Sequence, residues 1–176
     1  MDNLLAQLVG IIGMILLAVC FQAKNKKKTL ILKFSADIAW GIHYLLLGGI
    51  SAVVLNVIGA LRETIFYFEK NEKRMKAWLV VFVTLNWVIG ILKMKELYTL
   101  LPTMCSAVAT YSFWQKDLKV TRLLGLVNAV IMFTYDIFLF SYVGMVNEAI
   151  TVISVLIALY RYRKKDCAIN QYKNTP

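Results

Sequence analysis

A single histidine and three cysteines leave this sequence little with which to hold a metal. Cys20 and Cys105 fall inside apolar runs and Cys167 lies near the end, so neither a Cys-x-x-Cys zinc site nor a disulfide framework is expected. Gly-x-Ser-x-Gly, Walker-type and dinucleotide-binding patterns are absent. No nucleophile, base and orienting group can be assembled from this inventory, so the sequence reads as no enzyme and calls for no cofactor. Charge is scarce as well. Asp, Glu, Lys and Arg make up 17% of the 176 residues, against roughly 25% in an ordinary soluble domain.

Apolar sequence fills the chain instead, at 60% hydrophobic residues and a mean hydropathy of +0.66. Seven runs stand out, over residues 4–21, 29–47, 50–68, 78–92, 97–114, 123–140 and 143–160. Each is close to the roughly 20 helical residues that cross a bilayer core. The expected fold is all-α and integral to the membrane, with seven transmembrane helices. Only Asp2 precedes the first run and Lys24 to Lys28 follows it, which is not the order of a cleaved signal peptide.

The formal net charge of +10 would raise the question of nucleic acid in a soluble protein. Its distribution answers otherwise. Lysine and arginine cluster after the first, third, fifth and seventh runs, while the turns around Gly48, Lys93 to Glu96 and Ser141 are nearly bare. The positive-inside rule then puts the basic loops and the C-terminus in the cytoplasm and the N-terminus outside. The expected partners are the lipid bilayer and a small-molecule substrate, with no nucleic acid and with room for a homo-oligomer.

Three closely spaced runs, one isolated run and three more read as a duplication. CFQAKNK matches FWQKDLK with Gln22 opposite Gln115, HYLLLGG matches DIFLFSY with His43 opposite Asp136, and AVVLNVIGAL matches GMVNEAITVI with Asn56 opposite Asn147. In this register the spacing shrinks by two residues between the first pair and the last. The expected units are a first triple-helix repeat at 1–70, a linker helix at 71–95, a second repeat at 96–165 and a disordered cytoplasmic tail at 166–176. One odd helix between them keeps the repeats parallel, an arrangement known among transporters.

This three-one-three layout resembles the SWEET and PQ-loop transporter superfamily. HYLLLG followed by LNVIGALRE, with ELYTLLPTMCSAVATYSF later, is similar to the YgjV family of bacterial inner membrane proteins over about residues 4–165. The proline of SWEET and PQ-loop proteins near the end of each triplet's first helix is missing, since Phe21 and Trp114 precede Gln22 and Gln115. The resemblance implies a carrier in the inner membrane, with Asn56 and Asn147 matching the asparagines in the pocket of SWEET-like transporters.

Ala52, Asn56, Gly59 and Glu63 share one small, polar helical face, and the stripe through Gly144, Asn147, Thr151 and Ser154 matches it. Such faces also serve plain helix packing. Trp40 and Trp87 fall inside spans, where they would stack on a ring-shaped cargo or pack against lipid. Asp37 sits mid-span, where an ionised carboxylate costs about 2.5 to 3.5 kcal/mol. Lys33, one turn earlier, gives it a local partner, so the pair is either structural or a proton-coupling element. His43 and Asp136 are the expected outer gate, and Arg62 and Glu63 the inner gate, within snorkelling reach of water. The functional expectation is a facilitative small-solute transporter for a neutral polar metabolite such as a sugar. The alternatives are a vitamin-precursor carrier, whose tryptophan-rich motif is absent, and a non-transporting membrane scaffold.

Overall fold

The computed structural model describes residues 2–46, 50–92, 100–138 and 142–173. Among them are seven α-helices and no strand: α1 (Asp2–Gln22), α2 (Lys26–Leu46), α3 (Ile50–Phe68), α4 (Glu72–Leu92), α5 (Leu101–Trp114), α6 (Leu118–Phe138) and α7 (Tyr142–Lys173). Four of them, α1, α4, α6 and α7, are long and apolar enough to cross a membrane. The turns around Gly48, Lys93 to Glu96 and Ser141, and the expected start of the fifth span at Leu97, lie outside the described residues.

Hydropathy starts the second, fourth and sixth spans at Thr29, Trp78 and Leu123, whereas the helices begin at Lys26, Glu72 and Leu118. Capping makes the difference. Asn25 Oδ1 accepts from the Lys28 N–H at 2.8 Å, Asn71 Oδ1 from Lys73 at 2.9 Å and Asp117 Oδ1 from Lys119 at 2.8 Å. Each side chain satisfies a first-turn N–H that has no carbonyl partner, so the polar turn outside the apolar run is helical too. At the other end of the chain, residues 166–173, expected as a disordered tail, continue α7 to Lys173. Neither glycine nor proline occurs between Gly144 and Pro176 to stop it. Pro102 lies in the first turn of α5, where its missing N–H costs nothing.

The packing is inverted relative to a water-soluble protein. Leu4 and Ile15 are 69% and 56% exposed, while Glu63 and Asn86 are 1% and 2% exposed. Lipid-facing helices carry apolar residues outward because hydrocarbon offers polar groups no partner, and the polar groups turn inward to one another.

Helix contacts close a ring: α1 packs on α2 and α7, α7 on α6, α6 on α5, α5 on α3, and α3 on α2. Outside that ring, α4 rests against α5 and α3. One register runs around the ring. Lys26 and Leu118, which open α2 and α6, are 92 positions apart. The corners agree: Cys20 Sγ donates to the Thr29 carbonyl at 3.3 Å, and Ser112 Oγ to the Thr121 carbonyl at 3.1 Å. These pairs keep a spacing of 92, where the sequence match shrinks by two residues.

Candidate functional site

Inside the ring lies a cavity of about 260 Å³, lined by α1, α2, α3, α5, α6 and α7 and by nothing from α4. Its lining keeps the spacing of 92. Leu17 is matched by Ala109, Phe21 by Phe113 and Lys33 by Gly125. Further in, Asp37 is matched by Ala129, Asn56 by Glu148 and Gly59 by Thr151.

The register changes the asparagine pairing. Asn56 lines the cavity opposite Glu148, while Asn147, expected at that position, is not part of the lining. A shift of one residue turns a helical side chain by about 100°, on to a different face. Asn147 supports its neighbour instead, donating from Nδ2 to Glu148 Oε1 at 3.0 Å. Glu148 is the residue the sequence reading missed. A carboxylate in an apolar run is a functional signal by itself, and the adjacent asparagine drew the match one position away.

Asp37 is 5% exposed and is bonded through Oδ1 to Lys33 Nζ, so the local pair expected from the one-turn spacing is present. The Lys33 ammonium also lies 5.5 Å from the centre of the Phe113 ring, within cation–π range. Arg62 and Glu63, expected within reach of water, are both buried. Burying the two charges costs several kcal/mol per ion, which hydrogen bonds offset in part, Glu63 Oε2 having no partner among the described residues. Arg62 donates to Glu63 Oε1 from Nε at 3.0 Å and from an Nη at 2.7 Å, and its other Nη donates to Thr110 Oγ1 at 2.9 Å. Asn86 Nδ2 on α4 donates to the same oxygen at 3.2 Å, and Thr110 passes its own proton to the Ser106 carbonyl at 2.7 Å. One hydroxyl therefore ties α3, α4 and α5 together.

The two places where the halves of the ring meet are built on equivalent positions. Arg62 on α3 reaches Thr110 on α5; 92 positions round, Ser154 Oγ on α7 donates to the Ala18 carbonyl on α1 at 2.6 Å. Gln22 Nε2 reinforces the second seam, donating to the Ser154 carbonyl at 2.5 Å. At the lysine-rich end, Arg122 on α6 donates to the Phe21 and Ala23 carbonyls at 3.0 and 2.9 Å. A cation on the last carbonyls of a helix satisfies them and opposes the helix dipole. Lys26 Nζ, 3.5 Å from the Ser112 carbonyl, is a looser counterpart on the other half. Phe21 and Phe113 lie beneath these contacts as the cavity floor. Gly125 makes room for the first, since a Cβ there would come within 2.7 Å of the Phe21 ring.

The remaining candidates lie elsewhere. His43 is buried in the first half, with Nδ1 2.7 Å from the Ala6 carbonyl, and Asp136 is buried in the second half beside Gly144. The two residues expected as the outer gate thus each pack within their own half. Trp40 packs against Gly13 of α1 and edge-on to His43 at 5.3 Å, outside the cavity lining. Trp87 is exposed on α4, outside the ring. Neither tryptophan is part of the lining of this cavity.

Against known families, the Imp-YgjV model, described as bacterial inner membrane protein, matches residues 4–166. The chain belongs to that family. No curated protein and no solved structure matches it. Membership gives the apolar exterior its solvent, the lipid of the bacterial inner membrane, and makes the buried charges of this YgjV-family protein intramembrane ones.

Proposed function

We propose that this protein carries a small polar solute across the inner membrane, with the ring cavity as the cargo site. The observation that carries this reading is the lining itself, contributed at one constant spacing by both sets of three helices. Residues 1–70 and 96–165 are read as parallel repeats joined by α4 within 71–95. Parallel repeats with a binding site between them near the midplane are a recurrent carrier plan. On this reading the layout is SWEET-like, the lysine-rich end is cytoplasmic, and Phe21 and Phe113 close the cytoplasmic side under the Arg122 and Lys26 contacts. Alternating access then breaks one pair of end contacts and makes another.

The cargo is read as a small neutral molecule rich in hydroxyls. At about 260 Å³ the cavity is smaller than the roughly 300–1,000 Å³ typical of drug-sized sites. Among its lining residues, Asp37 Oδ2 and Asn128 Oδ1 are buried oxygens without a hydrogen-bond partner. Both accept, so both call for donors, which a sugar or polyol supplies. Lys33 and Arg62 beside Asp37 disfavour a cation. The vitamin-precursor alternative loses ground because its aromatic clamp has no counterpart in Trp40 or Trp87. A dry scaffold would have no reason to keep a polar cavity between its halves. The chain is read as a carrier without enzymatic activity, driven by the solute gradient.

The test is uptake of labelled sugars and polyols into liposomes holding the purified protein, after a thermal-shift screen has chosen the compounds. Asn56→Ala and Glu148→Gln should each lower uptake about tenfold or more while the unfolding temperature stays near that of the parent. Two variants that transport normally would sink the cavity as cargo site.

A further inference from the structure

A second cavity lies outside the ring, at the lysine-rich end, between α4 and the ends of α2, α3 and α5. Its volume is about 630 Å³. Besides the Asn86–Thr110 bond, two contacts hold α4 to the ring farther along. Gly90 lies directly against Thr103 of α5, and Phe82 meets Phe66 of α3 edge-on at 6.1 Å. Beyond them, toward the first turns of α4, the groove opens.

Its floor is apolar and aromatic, formed by Leu30, Phe66, Met75 and Trp114. Five lysines stand on its rim: Lys26, Lys27, Lys70, Lys76 and Lys116. Three acidic residues share the rim, and each already has a partner. Glu72 pairs with Lys116 at 2.5 Å, Glu69 accepts the Asn71 N–H at 2.9 Å, and Asp117 caps α6. Among the described residues, Lys27, Lys70 and Lys76 take part in no ion pair. Lys27 Nζ lies 5.7 Å from the centre of the Tyr67 ring, within cation–π range.

We infer that this groove binds an anionic phospholipid of the surrounding bilayer, its phosphate on the lysine rim and the upper acyl chains on the Leu30–Phe66–Met75–Trp114 floor. A soluble anion would use the rim and leave the floor without purpose, and an apolar segment would use the floor and leave the lysines uncompensated. A phospholipid uses both at once. The groove also sits where helices end and charged turns begin, the depth of the headgroup layer, and basic pockets between spans at that depth take acidic headgroups. Because α2, α3, α4 and α5 all line it, a lipid held there bridges the α3–α5 seam. The inference rests on the chain's place in a membrane and stands whether or not the ring cavity carries cargo.

The experiment uses the full-length protein in a mild neutral detergent, with thermal unfolding followed as phosphatidylglycerol, phosphatidylcholine or inorganic phosphate is added. Phosphatidylglycerol should raise the unfolding temperature, and the other two should leave it unchanged. Replacing the three exposed rim lysines together (Lys27→Gln, Lys70→Gln, Lys76→Gln) should weaken the apparent affinity for phosphatidylglycerol about tenfold or more. A matched triple (Lys24→Gln, Lys73→Gln, Lys119→Gln) removes equal charge from the same end but outside the groove, and should leave the affinity as it was. Equal losses in both triples would mean diffuse charge attraction and overturn the site. A shift reproduced by phosphate alone, or by phosphatidylcholine, would overturn the lipid assignment.

Discussion

In the first half of the ring, α2 and α3 carry Lys33, Asp37, Arg62 and Glu63; 92 positions on, α6 and α7 carry Gly125, Ala129, Ser154 and Val155. Positions at this spacing carry different chemistry. One half supplies long charged side chains, and the other supplies the small surfaces that give bulky neighbours room, as Gly125 does for Phe21. Only at Asn56 and Glu148 do both halves offer a strongly polar group to the cavity at matched positions. The seams show the same division, with a buried guanidinium network on one side and a hydroxyl and an amide on the other.

Breaking the equivalent contacts measures how far the halves differ. The largest effect is expected at Arg62. Arg62→Met leaves the Glu63 carboxylate buried without its partner, a change that costs about 3–5 kcal/mol, and adding Glu63→Gln should recover most of the lost unfolding temperature. If the double variant is no better than the single, the pair is not the source of the cost. Next come the end contacts. Arg122→Gln removes charged hydrogen bonds to two carbonyls and should cost about 1.5–3 kcal/mol, whereas Lys26→Gln, losing one contact at 3.5 Å, should cost clearly less by the same denaturation. Equal losses would erase the distinction between the two. The smallest effect belongs to Ser154→Ala, which removes two intramembrane hydrogen bonds, to the Ala18 carbonyl and from Gln22 Nε2, each worth about 0.6 kcal/mol; a loss as large as that of Arg62→Met would show the seams to be alike.

The helices and their alternation with lysine clusters were legible because the bilayer writes length and charge placement directly into sequence. Helix starts were legible only to within a turn, since hydropathy marks the lipid boundary while Asn25, Asn71 and Asp117 mark the helix boundary. A match between the two sets of runs was visible, but not the spacing of 92 that the paired contacts keep. Aliphatic runs match one another at several offsets, and a slip of one residue is silent in composition although it moves every side chain to another face. The Lys33–Asp37 pair was legible because it depends on the one-turn spacing within a single helix. Glu148, Arg122 and Thr110 were missed because their roles exist only across helices far apart in sequence.

The position of α4 has a mechanical consequence. Of the two lines along which the ring could part, the α3–α5 line has a helix laid across it, fastened by Asn86 to the Thr110–Arg62 junction and by Gly90 to Thr103. The α1–α7 line has no such strap among the described contacts. Parting the ring along α3 and α5 would therefore displace α4 as well, whereas parting it along α1 and α7 would not.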